Sequence, residues 1–554
     1  MSLPSTVSAA LHSLTGKRWV LPSSLRKGSV VEILAKARSI DLHAEVSWES
    51  LSDPLTLGEM KRAVERTRFA LQKSKSGRPW PRENIGIIGD YDADGITGAA
   101  QLLRFFRRKG VEPTVILPHR EKDGYGVKEK FIDALHAKGV TLLLTVDTGI
   151  SHTKEIAYAR NLGIDVIVLD HHSPPAELPD AILVHPALPL TPYPLPNANL
   201  SGSGVAFTFV RAVEDARWDG QEIDVALAAI GTVADVVPLL VDNRMIVMLG
   251  LEALMKGGSA PIFTLADSVR KEGERLTSFH IGYRIAPRIN AAGRLSDPLL
   301  ALTALTEGGA PLQKLTTLNE ERQDLTEEML RKAEDLLDSS RLFFTLASSE
   351  FHPGIIGLIA GKLTERYGKP SLVGAEREGI ITCSLRSIPG FHVTEALRAC
   401  GGVLSSFGGH AAAAGCTLKR EVWEEFTGNL EAHTQQTLDP ALLIPTLTID
   451  AEIFEEHLTL PLLSDLRRLE PYGAANREPL FLLKNQTVLG GRSVGKEGRH
   501  LQCMIGGKKA VGFGLGHLLP SLPSRADIVC RLGIDSWSGK DQVQIFVEDI
   551  RTSC

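Results

Sequence analysis

The sequence predicts an α/β protein whose main domain is a doubly wound parallel sheet. Three short apolar runs rich in β-branched residues each end on an acid: NIGIIGD on Asp90, TLLLTVD on Asp147 and IDVIVLD on Asp170. Helix-like sequence separates the runs, so each is expected to form a buried strand of one sheet. Ligands of such sheets bind at the carboxyl ends of the strands, where these three acids would meet.

Two further strands and two amphipathic helices continue this alternation. The strands are PTVILP (113–118) and DAILVHP (180–186), and the helices end at Gly110 and Gly139. Strands that alternate with helices in this way favour a sheet covered by helices on both faces.

The rest of the chain divides into a helical linker, a second α/β domain and a β-rich region. LNEERQDLTEEMLRKAEDLLDSS (318–340) has the charge density and i,i+4 acid–base pairs of a long, partly exposed helix that bridges two lobes. The last region holds five short β segments with turn signals, typical of a small Greek-key barrel such as the OB-fold. The predicted domains are a helical N-terminal lead-in at 1–45, the main domain at 46–255, the linker at 256–340, the second α/β domain at 341–440 and the barrel at 441–554.

Composition describes an ordinary globular protein of several domains. The chain has 554 residues, 43% of them hydrophobic and 23% charged, with a net charge of −5. That charge neither indicates nor excludes a polyanionic substrate. No apolar window is long enough to span a membrane, and no signal peptide is expected. Six scattered cysteines without a C-x-x-C pair favour reduced thiols in a cytoplasmic protein.

The segment GDYDADGITG, which follows the first predicted strand, carries acids at alternate positions. If it stays extended, Asp90, Asp92 and Asp94 point the same way. A polar turn that caps a helix is the alternative reading. An EF-hand loop is disfavoured because an apolar strand precedes the motif and Gln101 stands where the twelfth-position glutamate would be.

Further acids and two histidines make a metal site the better interpretation. Asp147 lies in VDTGIS, Asp170 is followed by His171 and His172, and Asp235 follows an apolar helix in GTVADVVPL. Carboxylates crowded together repel each other unless a cation lies among them. Oxygen-rich ligands with one or two imidazoles suit Mn²⁺ or Mg²⁺, and so many acids favour two ions. Two-metal sites catalyse in-line displacement at phosphorus.

The motifs GDYDADG, VDTG, DHH and ADVVPL, in this order, resemble those of the DHH phosphoesterase superfamily. Further motifs resemble the RecJ family of bacterial single-strand DNA exonucleases over nearly the whole chain, namely APRINAAGRLSDP, FHPGIIGLIAGKL, TCSLRS, FGGHAAAAG and LEPYGAANREPLF. The resemblance implies a DHH domain, a DHHA1-type second domain and 5′→3′ release of 5′-mononucleotides from single-stranded DNA with Mn²⁺ or Mg²⁺, in recombination and repair.

The resemblance also implies roles for the residues of the motifs. His172 would face the scissile phosphate, and Asp170 would orient an imidazole without binding metal. Some superfamily relatives have a ligand histidine where this chain has Ile88, which leaves Asp90 as the substitute. Asp147 would bridge the two ions. The residues expected to bind metal are Asp90, Asp92, Asp94, Asp147, His171 and Asp235.

Substrate binding requires cations and amide donors outside the metal site. Arg120 would project from a strand end towards the phosphates, and Arg288, Asn290 and Arg294 could line a strand path between the lobes. In the second domain, a pocket for a terminal phosphate is predicted from arginine and glycine amides. Structural ion pairs are the alternative for the arginines. The predicted pocket residues are Ser384, Arg386, Ser387, Gly408, Gly409 and His410.

The barrel is interpreted as a track for single-stranded nucleic acid, with Trp537 as a candidate stacking residue. A solvated basic surface is the alternative for each cation. Candidate phosphate contacts are Lys484, Arg492, Lys496, Arg499, Lys508 and Lys509.

Three functions are weighed: the exonuclease, a DHH phosphodiesterase for short oligonucleotides, and a non-catalytic strand-binding scaffold. The barrel argues against the second and the intact motifs against the third. Single-strand-binding protein and a helicase are the partners that the resemblance implies, and a monomer is favoured.

Overall fold

Apolar residues on both faces of its strands place the sheet of the first lobe between two helical layers.

A computed structural model describes residues 13–21, 29–72, 83–188, 199–215, 217–535 and 540–553. Before the first lobe, the described chain forms strand β1 (Arg18–Val20) and helix α1 (Val30–Ala37).

Five parallel strands form the first sheet. They are β2 (Asn84–Gly89), β3 (Thr114–Ile116), β4 (Val140–Val146), β5 (Asp165–Leu169) and β6 (Ile182–Val184). Their order is β3-β2-β4-β5-β6, so the chain switches direction beside β2 and opens a crevice at the carboxyl ends of β2 and β4. All five predicted strands are confirmed.

Helices cover both faces of this sheet, which confirms the doubly wound prediction. Ile87 and Leu144 pack in the core on one face, and Ile88 and Leu143 in the core on the other. The helices of this lobe are α2 (Met60–Leu71), α3 (Ala93–Arg108), α4 (Glu129–His136), α5 (Thr153–Asn161), α6 (Gly202–Glu214), α7 (Gln221–Ala234), α8 (Val241–Lys256) and α9 (Pro261–Asp267).

The linker is helical, but its long helix is shifted from the predicted 318–340. The helix begins earlier because Gly308 and Gly309 interrupt the preceding helix and Pro311 is well suited to a first turn. The linker contains α10 (Ser278–His280), a π-helical turn (Ile281–Ile285), α11 (Ala286–Leu295), α12 (Leu299–Glu307) and the long α13 (Ala310–Asp335).

The second lobe is a mixed five-stranded sheet with helices. Its order is β10-β11-β9-β8-β7, and only β7 and β8 are parallel. The elements are β7 (Phe344–Ser348), α14 (Ile356–Tyr367), β8 (Ser371–Arg377), β9 (Ile380–Arg386), α15 (Val393–Ala399), β10 (Ser406–Gly409), β11 (Ala413–Lys419) and α16 (Trp423–Thr437).

The third lobe is a closed barrel, which confirms the OB-fold prediction. Pairing of β14 with β17 closes the strand order β14-β15-β16-β18-β17. The elements are β12 (Thr446–Thr448), β13 (Ala451–Glu452), α17 (Leu460–Leu466), β14 (Phe481–Val494), β15 (His500–Ile505), β16 (Lys508–Gly512), β17 (Arg525–Asp535) and β18 (Gln542–Thr552).

The N-terminal segment packs on this barrel. Strand β1 pairs with β12, and Val31 and Leu34 of α1 lie in the same core as the barrel strands. The indole of Trp19 donates a 2.8 Å hydrogen bond to Asp549 of β18. The lead-in is therefore a strand and a helix that belong to the third lobe.

None of the described helices is by itself long and apolar enough to cross a membrane, although α8 and α9, which are bent by 84° relative to each other, pass that test as a pair.

Candidate functional site

The acids predicted from the strand ends meet at the carboxyl edge of the first sheet. Asp90 follows β2, Asp147 follows β4 and Asp170 follows β5, and all three are buried. The imidazole Nε2 of His171 lies 3.1 Å from Asp147 Oδ1, 3.6 Å from Asp235 Oδ2 and 3.9 Å from Asp94 Oδ2. One imidazole therefore contacts acids from three different elements.

Potential ligand atoms fall into three overlapping groups within the described residues. In each group the atoms lie within 4.8 Å of one another, and Asp147 belongs to two of the groups. The groups are Asp90 with Asp92 and Asp147, Asp94 with His171 and Asp235, and Asp147 with His171 and His172. The overlap of these groups at Asp147 and His171 makes this edge of the sheet a candidate site for divalent cations.

The segment after β2 does not stay extended, so the expectation that its three acids share one strand face is wrong. Helix α3 begins at Ala93, and Asp92 is its N-cap, accepting hydrogen bonds from the amides of Asp94 and Gly95. The capping alternative is therefore correct locally. The acids nevertheless stay together, because Asp94 lies in the first turn of the helix.

The N-terminus of α6 holds Asp94 in place. Its carboxylate accepts hydrogen bonds from the amides of Gly202 (2.7 Å) and Ser203 (3.0 Å). Side chains on two glycines would collide with the acids: a Cβ on Gly202 would lie 2.5 Å from the Cβ of Asp147, and one on Gly231 would lie 2.5 Å from Asp94 Oδ1. Sequence reasoning missed both glycines, because only the tertiary approach of α6 and α7 requires them.

Crowding makes the charged forms of these acids costly. Burial and the Asp92 carboxylate raise the pKa of Asp94 to about 7, and burial and Asp94 raise the pKa of Asp235 to about 8. Burial and neighbouring carboxylates also raise the pKa values of Asp90 and Asp147 well above their usual range. A divalent cation among the oxygens removes this repulsion.

Asp90 adds a direct test of the fit to a cation. Its Oδ1 is buried and has no hydrogen-bond partner among the described residues. Buried polar atoms are normally satisfied, so an orphaned carboxylate oxygen beside other acids suits a metal ligand. The oxygen-rich donor set with an imidazole is that of Mn²⁺ or Mg²⁺.

The buried carboxylate of Asp170 forms hydrogen bonds with both histidines. It accepts from the amides of Ile150, His171 and His172 and pairs with His172 Nδ1 at 2.8 Å. Burial would raise the pKa of Asp170, but its hydrogen bond with His172 holds it below its usual range.

These contacts give the two imidazoles different protonation states. Burial opposes the charge of His172, yet the hydrogen bond and charge of Asp170 raise its pKa to about 9. Burial and the charge of His172 lower the pKa of His171 to about 4, so that ring is neutral and able to bind a cation. Tyr125, which sequence reasoning missed, has its hydroxyl 3.4 Å from His172 Nδ1.

Arginines from the first lobe, the linker and the second lobe gather near the acids. The guanidinium of Arg120 lies 4.1 Å above the ring of Tyr91, with a buried Nε that has no partner among the described residues. Burial and the charges of Arg120, Arg322 and Arg386 lower the pKa of Arg294 to about 9. Arg322, on α13, was not predicted. Four like charges gathered in this way favour an anion.

The predicted phosphate pocket of the second lobe borders this arginine cluster. Arg386 donates to the Ser384 hydroxyl at 3.1 Å, and a Cβ on Gly357 would crowd both side chains. Gly408 lies in the same cross-strand row as Ser384, with Gly415 between them.

Other predicted binding residues lie farther from the cluster or have local partners. The Asn290 side chain accepts from the amide of Ala93 at 2.8 Å and so fixes the start of α3. Arg288 donates to the carbonyl of Arg284, and the Ser387 hydroxyl donates to the Phe391 carbonyl. Gly409 and His410 lie exposed at the end of edge strand β10.

The barrel carries an aromatic cluster that sequence reasoning missed. Exposed Phe513 stacks on Phe546 at 6.2 Å, and His500 meets Phe513 edge-on at 5.3 Å. Trp537, the predicted stacking residue, lies outside the described residues.

The predicted barrel cations differ in their local pairing. Lys484 pairs with Glu452, Lys509 pairs with Asp535 and Arg492 donates to Gln502. Lys508 is half-buried, and Lys496 and Arg499 lie exposed in the loop between β14 and β15.

Family models match each lobe in turn. The model "DHH family, N-terminal domain" matches residues 84–233, "DHHA1 domain" matches 340–436 and "RecJ OB domain" matches 449–549.

Relatives along most of the chain share one name, single-stranded-DNA-specific exonuclease RecJ. The protein from Bacillus subtilis is 34% identical over 93% of this chain, which spans 66% of that relative. The proteins from Thermus thermophilus (33% identical, 91% of this chain and 73% of the relative) and Escherichia coli (31%, 84% and 87%) are similar. The chain thus spans just under two thirds of the Bacillus relative.

Solved structures agree in fold. RecJ from Thermus thermophilus in complex with Mn²⁺ matches with a TM-score of 0.83 and 29% identity, covering 97% of this chain and 80% of that one. The Mg²⁺ complex of RecJ from Thermus thermophilus matches with a TM-score of 0.77 and 28% identity, covering 97% and 79%.

Proposed function

This chain belongs to the RecJ family, and from that premise we propose that it is a metal-dependent exonuclease that degrades single-stranded DNA 5′→3′ to 5′-mononucleotides in recombination and repair. One observation carries the proposal: a buried carboxylate cluster built around Asp147 faces a cluster of arginines at the junction of the two lobes. A phosphodiester between the two clusters would contact the cations bound by the acids and would neutralise the charge of the arginines.

Asp90, Asp92, Asp94, Asp147, His171 and Asp235 would hold two ions of Mn²⁺ or Mg²⁺, and Asp147 would serve both. The membership of Asp147 in two ligand groups supports this role. When bound, such ions supply a nucleophilic hydroxide and neutralise the charge that develops at phosphorus.

His172 serves the phosphate. Its Nδ1 is occupied by Asp170 and its pKa is raised to about 9, so it carries a proton on Nε2 at neutral pH. That N–H donates to a phosphate oxygen or to the departing 3′-oxygen. Asp170 keeps the ring charged and oriented, as carboxylates behind catalytic imidazoles commonly do.

The arginine cluster holds the end of the strand. Arg120, Arg294 and Arg386, with Ser384, bind the terminal 5′-phosphate through charge-assisted hydrogen bonds. A pocket for a chain end beside the catalytic centre favours exonucleolytic over internal cleavage. Further contacts to the strand come from Arg288, Asn290, Ser387, Gly408, Gly409 and His410.

The barrel retains the strand that has not yet been cut. Its exposed ring at Phe513 stacks bases and the lysines of β16 contact phosphates, the usual combination for strands of any sequence. A chain that carries the metal cluster, the end pocket and the barrel can act as a monomer in the cytoplasm. Single-strand-binding protein and a DNA helicase are its proposed partners, the first presenting the strand and the second producing it.

Strands labelled internally and blocked at one end or the other test the proposal. With Mn²⁺ or Mg²⁺, the wild type is expected to release mononucleotides only when the 5′ end is free. Asp147→Asn abolishes release, whereas Asp180→Asn, an exposed acid of the same lobe, does not. Hydrolysis confined to oligonucleotides of a few residues would replace the proposal with the short-substrate phosphodiesterase, and binding without hydrolysis in the wild type would replace it with the scaffold.

A further inference from the structure

A groove of about 980 Å³ runs between the linker helices and the third lobe. Val236, Phe279, Tyr283 and Asn290 line one wall, and Tyr472 and Arg477 line the other. Its size is that of a ligand-binding cleft. Val236 lies in the ADVVPL motif and Asn290 in the APRINAAGRLSDP motif, whereas none of the motifs quoted above contains Phe279 or Tyr283.

Two aromatic rings stand exposed on the linker wall of this groove. Phe279 is 52% exposed and Tyr283 is 74% exposed. Their rings are stacked, with centroids 4.8 Å apart and planes inclined by 26°, and the guanidinium of Arg284 lies 5.8 Å from the Phe279 ring. Large aromatics that pair at the surface instead of in the core indicate an interaction site.

The backbone at this position is itself unusual. Tyr283 lies in a π-helical turn that joins α10 to α11, just before Pro287 removes an amide donor from the helix. Single π-helical turns inside α-helices occur frequently at functional sites.

The groove is continuous with the metal centre at two points. Val236 directly follows the proposed ligand Asp235, is 69% exposed and has a φ of +59°, which a β-branched residue rarely adopts. Asn290, which lines the groove, also accepts the hydrogen bond from Ala93 at the start of α3. A strand bound at the metal centre therefore has the groove directly beside it.

We propose that Phe279 and Tyr283 form a stacking platform for the bases of the uncut strand between the metal centre and the barrel. This inference rests on the proposed function, which places single-stranded DNA at the metal centre. Stacked rings with this much exposed surface can stack on any base, as a nuclease without sequence preference requires.

The charges around the platform favour nucleic acid over an apolar protein segment. Arg284 lies beside the Phe279 ring and pairs with Glu274 at 3.6 Å, and Arg288, one helical turn further along the chain, has a buried Nε that lacks a hydrogen-bond partner among the described residues. On the opposite wall Arg477 is exposed, while the two glutamates of that wall are paired with arginines, Glu470 with Arg275 and Glu478 with Arg531. Phosphates on either side of stacked bases would meet these cations.

Site-specific fluorescence tests the platform. Single-stranded DNA with one 2-aminopurine at successive positions from the 5′ end is bound to full-length protein that carries Asp147→Asn, so that no strand is consumed. Quenching is expected at one or two adjacent positions. The double variant Phe279→Leu with Tyr283→Leu is expected to lose this quenching and to bind the strand about tenfold more weakly.

Matched variants separate stacking from folding. Phe69→Leu removes an exposed ring outside the groove and should leave the quenching in place. Two single variants, both with Tyr283 intact, are also compared. Phe279→Tyr keeps a ring and should quench more strongly than Phe279→Leu. An unchanged quenching profile in the double variant would overturn the platform, as would equal loss in Phe69→Leu.

Kinetics with Asp147 intact distinguish failure of the platform from failure of the proposed function. For a long strand, the double variant is expected to have a KM about tenfold higher than the wild type and an unchanged kcat. Hydrolysis with a KM equal to that of Phe69→Leu would refute the platform alone. Ring-dependent quenching in a protein whose wild type hydrolyses nothing would refute the exonuclease alone.

Discussion

The carboxyl edge of the first sheet and the junction of the first two lobes carry opposite charges, and each is unbalanced. At the sheet edge, acids lie so close that burial and mutual repulsion raise the pKa of Asp94 to about 7 and of Asp235 to about 8. At the junction, burial and neighbouring arginines lower the pKa of Arg294 to about 9. The two clusters do not neutralise each other, although Asp92 and Arg294 are near enough to interact.

This difference supports the proposal that each cluster binds a separate ion, the acids a cation and the arginines an anion. Had stability alone been selected, acids and arginines would pair directly, as Arg104 and Asp224 do at 2.8 Å elsewhere in the first lobe. Instead, the acids suit cations and the arginines suit phosphate. In the proposed function a strand end bridges the two clusters, with its terminal phosphate at the junction and its scissile phosphate at the acids.

Removing the shared acid should have the greatest consequence. Asp147→Asn removes the negative charge of the residue common to two ligand groups, and we expect kcat/KM on single-stranded DNA to fall roughly a thousandfold or more. Mn²⁺ should raise the melting temperature of the wild type and not of this variant. Retention of more than a tenth of the activity, with Asp180→Asn as the control, would refute a shared ligand.

Removing one charge from the arginine cluster should weaken recognition of the 5′ end of the strand. Arg386→Met is expected to raise KM for a 5′-phosphorylated strand about ten- to a hundredfold, because charge-assisted hydrogen bonds to the phosphate are lost. The variant should no longer distinguish 5′-phosphate from 5′-hydroxyl ends. Equal losses on both kinds of end would contradict a terminal-phosphate pocket; Arg420→Met, at the surface of the same lobe, is the matched control.

Loss of the acid behind the histidine should have an intermediate consequence. Asp170→Asn removes the partner that keeps His172 charged and oriented, and kcat is expected to fall about ten- to a hundredfold. The pKa of His172, followed by NMR, should drop from its raised value. An unchanged kcat would show that the orientation of His172 is not needed.

The smallest change is expected at the barrel. Lys508→Met should weaken binding of a long strand only slightly, and the slope of log K against log salt should shrink by about 0.7. Lys484→Met, whose ammonium pairs with Glu452, should leave the slope nearer that of the wild type. Identical slopes in the wild type, Lys508→Met and Lys484→Met would show that Lys508 of β16 does not contact the bound strand.

The sequence predicts those features that local pattern determines. Each strand that ends on Asp90, Asp147 or Asp170 is recognisable because a buried strand is a short apolar run. The barrel is predictable for the same reason, since its five segments alternate and are separated by turns.

Features that depend on contacts between elements distant in the chain cannot be predicted from local sequence patterns. Gly202 and Gly231 matter only because α6 and α7 press against the acids, and Arg322 joins the arginine cluster from the middle of a long helix. The turn after β2 is also not predictable locally, because Asp92 caps α3 and the Asn290 side chain of the linker accepts a hydrogen bond from the amide of Ala93 in its first turn.

Manganese stoichiometry at the acid cluster, measured by titration of the full-length protein with Mn²⁺ and electron paramagnetic resonance, tests the two-ion centre most directly. Two ions per chain with a spin-coupled signal, and loss of that coupling in Asp147→Asn, are the predicted result. A single uncoupled ion in the wild type, or coupling that survives in Asp147→Asn, would contradict a pair of cations that share this carboxylate.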